Sequence, residues 1–445
     1  MSRLLRRLGT RDAALIVMGG IVGSGIFKTP SVVAQRVGSG WLVMAAWIAG
    51  GILAMLGAFV FAELAARRPK DGGFYAYLRD AFHPVVAFAY GWTLLLVSQS
   101  GGAAVAAVTF ADYSGVHLDH RILAALAIAV FTAINLLGVR AGTSTQNWLM
   151  ALKVATIAGL IVLGFIAPPI AHAASSVPAL PVAALAVALG FAMVPVLFSY
   201  DGYQTASFMS AELRDPERTL PRGLVYGVLL VVALYVGVNV VCLRVLGAAG
   251  LAATPTPVSD VARFALGPIG ERIMAGIVIL STLGFLANQI LTSPRIFYQM
   301  AADGVFFKSL AWVDRRTHVP SVAIAVQGAA AAIIALSGSY NQILNYVSSV
   351  DFVFFGFGAL ALFVFRARDR GGAPVRPLVP GHPWTTVIYL AISWILVVDL
   401  VIASPYDSLI GLGILLSSIP VYAFFALRNS RLAALSSRAS EVRKH

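Results

Sequence analysis

Apolar residues gather in long runs along the whole chain, parted by short polar and basic stretches. The runs cover residues 12–37, 41–66, 82–111, 121–139, 144–167, 182–209, 222–247, 268–300, 320–337, 340–365, 384–403 and 406–427. A helix of about 20 residues crosses a hydrocarbon core roughly 30 Å thick. The pattern therefore predicts an all-α polytopic membrane protein with twelve spans. No stretch between the runs is long enough to form a separate soluble domain, so residues 1–445 read as one integral domain.

Two runs break their own pattern. In the first, "VMGGIVGSGIFKTP" (17–30) places Gly19, Gly20, Gly23, Ser24 and Gly25 where the helix should be deepest. Glycine costs about 1 kcal/mol relative to alanine in a helix interior. Two explanations compete. Small residues let membrane helices pack closely, or the helix is broken, which is tolerated only where the exposed backbone lines a cavity. The sixth run carries "PVLFSYDGYQTASF" (195–208), with Asp201-Gly202 near its centre. A carboxylate at that depth costs at least about 2.5 kcal/mol. The two breaks lie one five-span half of the first ten spans apart. Paired interruptions of this kind point to a transporter built from inverted repeats with a site at the midplane.

Charge gives the orientation. Only 11% of residues are charged and 59% are apolar, against roughly 25% charged in a soluble domain. Of the 32 Lys and Arg, 25 fall at the span ends on the side of the termini, five on the other side, and Lys28 and Lys153 inside spans. Positive residues stay cytoplasmic, so both termini are expected there, including the basic tail 428–445. The same bias accounts for the net charge of +13 without nucleic acid as a partner; the bilayer is the expected one. The run after "MSRLLRRLGTRD" is too long for a signal peptide. The single cysteine, Cys242, excludes an intramolecular disulfide and a cysteine zinc site, and the seven histidines lack metal-ligand spacing. No Walker A string occurs, and neither metal nor cofactor is expected. A channel lacks its filter-like loop here. An enzyme lacks a nucleophile–base pair at membrane depth.

Four strings carry a family likeness: "GGIVGSGIF" (19–27), "RRPKDGGFYAYLRDAF" (67–82), "SAELRDPERTLPRG" (210–223) and "SPRIFYQMAADGVF" (293–306). The chain resembles the amino acid–polyamine–organocation superfamily, and within it bacterial members of the L-type amino acid transporter branch that exchange serine and threonine or small neutral amino acids. The resemblance implies a LeuT-type fold. Residues 1–167 (spans 1–5) and 182–365 (spans 6–10) would be inverted repeats, with the two spans of 384–427 peripheral. It implies sodium-independent exchange of small neutral L-amino acids by alternating access across a bacterial inner membrane. Proton symport, or transport of cationic amino acids or amines through Asp201, stays open. The branch's eukaryotic members are linked to a heavy subunit through a Cys before span 4. The corresponding "SGVHLDHR" (114–121) has none, so no such partner is expected.

The broken helices explain how an amino acid would be held. A half-helix starting at Ser24-Gly25 offers N–H groups and a partial positive charge to a carboxylate. The half ending at Ile21-Val22 offers carbonyls to an ammonium, as would an unwound stretch at Phe198, Ser199 and Tyr200. The expected binding residues are Ile21, Val22, Gly23, Ser24, Gly25, Ile26, Phe198, Ser199, Tyr200, Asp201, Tyr203 and Gln204. By resemblance, Phe198 gates the substrate and Lys153 takes the place of a sodium ion by bonding to the span 1 break. Tyr203 and Gln204 stand where relatives carry Trp and Asn. Asp201 could bind an amine or a proton, or cap the unwound segment. Glu212, Arg214, Asp215 and Arg218 read as a charge network at the cytoplasmic gate. Glu63 reads as a structural partner of an Arg, and Lys28 as snorkelling. Asp351 and Asp399 read as facing the bundle, without a role.

Overall fold

The computed structural model describes residues 4–168, 182–337, 340–370, 375–403 and 405–442. Arg3, Arg443 and Lys444 of the basic termini lie outside them. The described chain is helical, with a single isolated bridge between Leu8 and Leu213. In order the helices are α1 (Thr10–Ile21), α2 (Gly25–Val37), α3 (Gly40–Arg67), α4 (Gly73–Ala81), α5 (Pro84–Thr93), α6 (Gln99–Tyr113), α7 (His120–Leu136), α8 (Val139–Ile166) and α9 (Val182–Ser199). They continue with α10 (Thr205–Phe208), α11 (Pro216–Ala253), α12 (Pro257–Leu266), α13 (Pro268–Thr292), α14 (Pro294–Ala302), α15 (Ser321–Ser337), α16 (Tyr340–Arg368), α17 (Trp384–Ala403) and α18 (Pro405–Val442).

Eight helical stretches among the described residues are long and apolar enough to cross a membrane. One of them, Pro84–Tyr113, joins α5 to α6 through a π-helical turn at Leu94–Ser98. The pair α1 and α2 would add a ninth span, bent by 49° at its break. Three shorter apolar helices, His120–Leu136, Ala188–Ser199 and Ser321–Ser337, fall in the fourth, sixth and ninth runs.

The helices sort into two groups by packing. α3, α11 and α1 pack together, with α2 and α9 against each other on the same side. α6, α7, α13 and α15 form the second group. The first holds the first, second, sixth and seventh apolar runs, and the second the third, fourth, eighth and ninth.

Both breaks exist, and they touch. α1 ends at Ile21, where the Val22 N–H donates to Met18 O and ψ swings to 93°. α9 ends at Ser199, and Gly202 adopts φ 110° in the turn that follows. The unwound stretch is thus Tyr200–Gln204, rather than beginning at Phe198 as the sequence suggested. The Phe198 carbonyl accepts from the Asp201 N–H at 3.3 Å.

Gly19 and Gly20 serve packing. A Cβ on Gly20 would lie 2.5 Å from the Gly202 carbonyl oxygen and collide with Thr205 Oγ1, while one on Gly19 would collide with Gln146. Gly276 on α13 has open space around a Cβ. Gly20→Ala should therefore cost about 1–3 kcal/mol by overpacking. Thermal unfolding in detergent checks this, with Gly276→Ala as control. An equal midpoint in the two variants would show that the breaks do not pack backbone to backbone.

Candidate functional site

A cavity of about 310 Å³ lies between the two helix groups, where the breaks face it. That is the lower end of the size range of small-molecule sites. Gly20, Ile21, Gly23 and Ser24 line it from α1 and the break, and Gly25, Lys28 and Thr29 from α2. Phe198, Ser199, Asp201, Gly202 and Gln204 line it from α9 and its unwound turn. The facing wall is Ser98, Gln99 and Gly102 near the start of α6, Thr282, Phe285 and Gln289 of α13, and Asp351 of α16.

The two termini at the first break point into this space. α2 begins at Gly25 with Ser24 as N-cap, and the Ser24 side chain makes no capping bond. A helix end whose leading N–H groups meet a cavity is an anion site in waiting. Gly23 and Gly25 differ from Gly19 and Gly20. A Cβ on Gly23 would make an ordinary contact, 3.6 Å from Phe285, and one on Gly25 would lie 3.1 Å from the Ser199 hydroxyl. The first pair is needed for packing, and the second leaves room at the cavity.

Four expected binding residues turn away from the cavity. Val22 and Ile26 are fully buried, and the Val22 carbonyl accepts from Lys153 Nζ at 2.5 Å. Tyr200 is buried against Trp47 and Tyr235, its hydroxyl donating to Trp47 O at 3.3 Å. Tyr203 stacks on Phe355 and pairs its hydroxyl with Tyr389 of α17. These side chains are taken into the helix packing, outside the cavity lining.

Lys153 sits on α8 with no exposed surface. Gly284 of α13 admits it: a Cβ there would lie 3.2 Å from Nζ. Around it, Ser281 Oγ donates to Gly23 O at 2.9 Å, Tyr235 Oη to Ile21 O at 3.3 Å, Asn288 Nδ2 to Ile16 O at 2.9 Å and Gln146 Nε2 to Leu15 O at 3.0 Å. Lys153, Tyr235 and Ser281, from α8, α11 and α13, thus hold the Val22, Ile21 and Gly23 carbonyls left at the break, as buried acceptors require, while Asn288 and Gln146 add bonds to carbonyls inside α1.

The end of the cavity toward the chain's N-terminus is sealed. The backbone N–H groups of Arg7 and Leu8 donate to Glu212 O at 2.9 and 3.0 Å, and the Arg214 N–H donates to Leu8 O at 2.9 Å. The expected gate network is redrawn here. Glu212 pairs with Arg295 of α14, Nε to Oε1 at 3.0 Å, with both side chains buried. Burial raises the Glu212 carboxyl above its ordinary range, and the Arg295 guanidinium opposes that shift. Arg214, Asp215 and Arg218 are exposed and stand outside the pair. Four N–H donors fill the buried Glu63 carboxylate: Arg67 Nε, Arg366 Nε and Nη2, and the Val379 backbone, at 2.6–2.8 Å. Lys28 is exposed and lines the cavity from α2, on the opposite side of the break.

A family model described as amino acid permease matches residues 8–423. The chain belongs to the amino acid permease family. It is 30% identical over 435 residues to the human b(0,+)-type amino acid transporter 1, covering 95% of this chain and 88% of that one. It is 27% identical over 442 residues to the serine/threonine exchanger SteT of Bacillus subtilis (94% and 96%), and 29% identical over 442 residues to the human large neutral amino acids transporter small subunit 2 (94% and 80%).

Several residues of this permease's cavity escaped the sequence reading. Thr282, Phe285 and Gln289 share one face of α13 by their spacing of three and four, a signal that was present but is common in any membrane helix. Ser98 and Gln99 carried none. Asp351 stood out as a carboxylate at membrane depth. Its placement beside Ser98 and opposite the break comes from the fold. Asp399 is half-buried on α17 and does not line the cavity.

Proposed function

We propose that this permease is a sodium-independent exchanger of L-amino acids that works by alternating access. The observation that carries the reading is the first break. The α2 N-terminus at Ser24-Gly25 and the α1 C-terminus at Ile21 line one cavity, while the Lys153 ammonium bonds to the break from behind. The N–H end would take the substrate carboxylate and the carbonyl end its ammonium. A fixed ammonium at the Val22 carbonyl would serve where related folds hold sodium.

Twelve crossings of a bacterial inner membrane, with both termini cytoplasmic, are part of the proposal. Its supports are the basic bias of the terminus-side loops and the three shorter helices in the runs that fall short of span length. The two packing groups support repeats over 1–167 and 182–365, because each group pairs runs five apart. In that orientation the sealed end is cytoplasmic and the cavity faces outward. Exchange would follow when the Leu8–Glu212–Arg295 closure opens as the outer end shuts. The absence of cysteine from 114–121 supports a carrier without a disulfide-linked heavy subunit.

The test is truncation of the substrate. For whichever L-amino acid the reconstituted protein exchanges, its decarboxylated amine and its deaminated acid should each lose about 1.5–3 kcal/mol as competitors, the scale of a lost charge-assisted hydrogen bond. Equal competition by the simple amine or the simple acid would refute recognition by the broken helices. For the side chain, the family likeness favours a small neutral group. One observation, a second carboxylate in the cavity, favours a cationic one instead.

A further inference from the structure

The arginines at the terminus-side ends of the helices are of two kinds. Around the ends of α3 and α16 they meet carboxylates. Arg67 and Arg366 bond to Glu63, Arg68 to Asp369, and Arg79 to Asp80 and Asp303. Around the starts of α1, α8 and α11 they do not. Arg7, Arg11, Arg140, Arg214, Arg218 and Arg222 are exposed, and their side chains make no hydrogen bond or ion pair among the described residues. The acids nearby, Asp12, Asp215 and Glu217, are fewer, and Asp12 is already met by the Gly9 N–H at 2.8 Å and Asn147 Nδ2 at 2.7 Å.

Packing gathers these arginines at the sealed end. The Arg7 N–H donates to Glu212 O and the Arg214 N–H to Leu8 O, each at 2.9 Å. α11 lies against α1 where Gly223 meets Ala13: a Cβ on the glycine would stand 2.5 Å from the Ala13 Cβ. α8 lies against α1 through Asn147 and Asp12, and through Gln146 Nε2, which donates to Leu15 O at 3.0 Å. At their far ends α8 and α11 meet each other, with Arg244 Nη1 donating to Gly164 O at 2.8 Å. The first half of α1 is thus flanked by the starts of α8 and α11.

The exposed faces beside it say what the arginines meet. On α11, Arg218, Arg222, Tyr226, Leu229 and Leu230 are all exposed and share one face by steps of three and four. On α8, Arg140, Ser144, Trp148 and Leu152 do the same at steps of four. Each face runs from arginine through an aromatic ring to aliphatic side chains. That order matches a phospholipid, with its anionic phosphate, its interface and its acyl chains. A soluble anion would use only the arginines.

We propose that Arg11, Arg140, Arg218 and Arg222 form a seat for an anionic phospholipid of the leaflet on the side of the termini, with its acyl chains along Tyr226 and Leu230 of α11 and Trp148 and Leu152 of α8. The headgroup bridges α1 to the helices on either side of it, and so holds the Leu8–Glu212 closure shut. The seat goes beyond the exchanger reading and does not depend on which substrate is carried.

Fluorescently labelled phosphatidylglycerol is titrated onto the purified full chain in neutral detergent. Arg218→Gln combined with Arg222→Gln should weaken its binding by about tenfold or more, the scale of losing two arginines at an anionic surface. Arg315→Gln combined with Arg316→Gln removes the same charge from exposed positions before α15 and should change binding far less. Should the first pair fail to fold, Arg11→Gln combined with Arg140→Gln reads the same loss. Unlabelled phosphatidylglycerol should compete, and phosphatidylcholine and glycerol phosphate should not. In nanodiscs, the amides of residues 7 and 8 should exchange hydrogen more slowly with phosphatidylglycerol present than in phosphatidylcholine alone.

Equal competition by phosphatidylcholine overturns recognition of the headgroup charge. Equal competition by glycerol phosphate makes the seat a soluble-anion site and overturns the lipid. An equal loss in the two double variants overturns the location, because general attraction to the basic face would explain it. Amide exchange that ignores phosphatidylglycerol overturns the hold on the closure. A failure of amino acid exchange in any assay leaves all four readouts untouched, so the seat and the exchanger reading fall separately.

Discussion

Gly23→Leu should abolish substrate binding while the protein stays folded in detergent. The position allows the distinction. A Cβ on Gly23 meets Phe285 at an ordinary 3.6 Å and no backbone, and the residue lies between two helices, so helix geometry does not forbid a side chain. The remaining carbons of leucine would then extend into the space where the α2 N–H groups meet the cavity. A ligand carboxylate would lose both room and donors, for more than about 3 kcal/mol, or roughly a hundredfold and beyond in affinity. Gly25→Leu should act similarly, with a small shift of the Ser199 hydroxyl that now sits 3.1 Å from the added Cβ. Equilibrium binding and the thermal midpoint are read on the same preparation. Wild-type binding in either variant would remove the carboxylate from the first break. A collapsed midpoint in Gly23→Leu would make that glycine a packing residue like Gly20.

Lys153→Ala should lower the rate of exchange by about tenfold or more, the scale of one hydrogen bond to a charged group, and change substrate affinity far less. The ammonium bonds to Val22 O from behind the break and does not line the cavity, so its loss acts on the movement of α1 and not on the ligand. Replacing sodium by choline should leave wild-type exchange unchanged. Rates and affinities are measured separately, by exchange in proteoliposomes and by binding in detergent. Wild-type turnover in the variant, or wild-type exchange that needs sodium, would remove the lysine from the cycle. If a pH gradient drives accumulation without internal amino acid and Lys153→Ala loses only that, the lysine is a proton carrier.

The two experiments probe the two sides of one break. On the cavity side, Gly23 and Gly25 keep side chains away from the N–H groups. On the hidden side, Lys153, Ser281 and Tyr235 meet the carbonyls that α1 leaves when it stops. A membrane helix can end at mid-depth only if such partners exist. The cost of the break is therefore spread over α8, α11 and α13.

Much of this architecture was legible in the linear chain because membrane spans are encoded locally. Length and apolarity mark a span, and glycine beside serine or aspartate marks a break, without knowledge of any neighbour. A break around Gly23 and another around Asp201-Gly202, the depth of Lys153 and the basic bias of the loops needed no tertiary information, whereas the start of the second unwound stretch at Tyr200 instead of Phe198 came from the fold. The same local signal could not separate Gly20 from Gly23. The two look alike in sequence, and only the approach of the Gly202 carbonyl makes one a packing residue. Nor could it pair Glu212 with Arg295, 83 residues away, or Asp351 with Ser98, 253 residues away, or carry Tyr203 to Tyr389. Lipid tails are as apolar as a helix interior, so a membrane helix shows little difference between the face it gives to lipid and the face it gives to protein. The sequence thus determined where each helix runs and where two of them stop. Which faces meet, and so which acceptors converge on one cavity, was decided by the close packing of small residues and buried polar pairs in three dimensions.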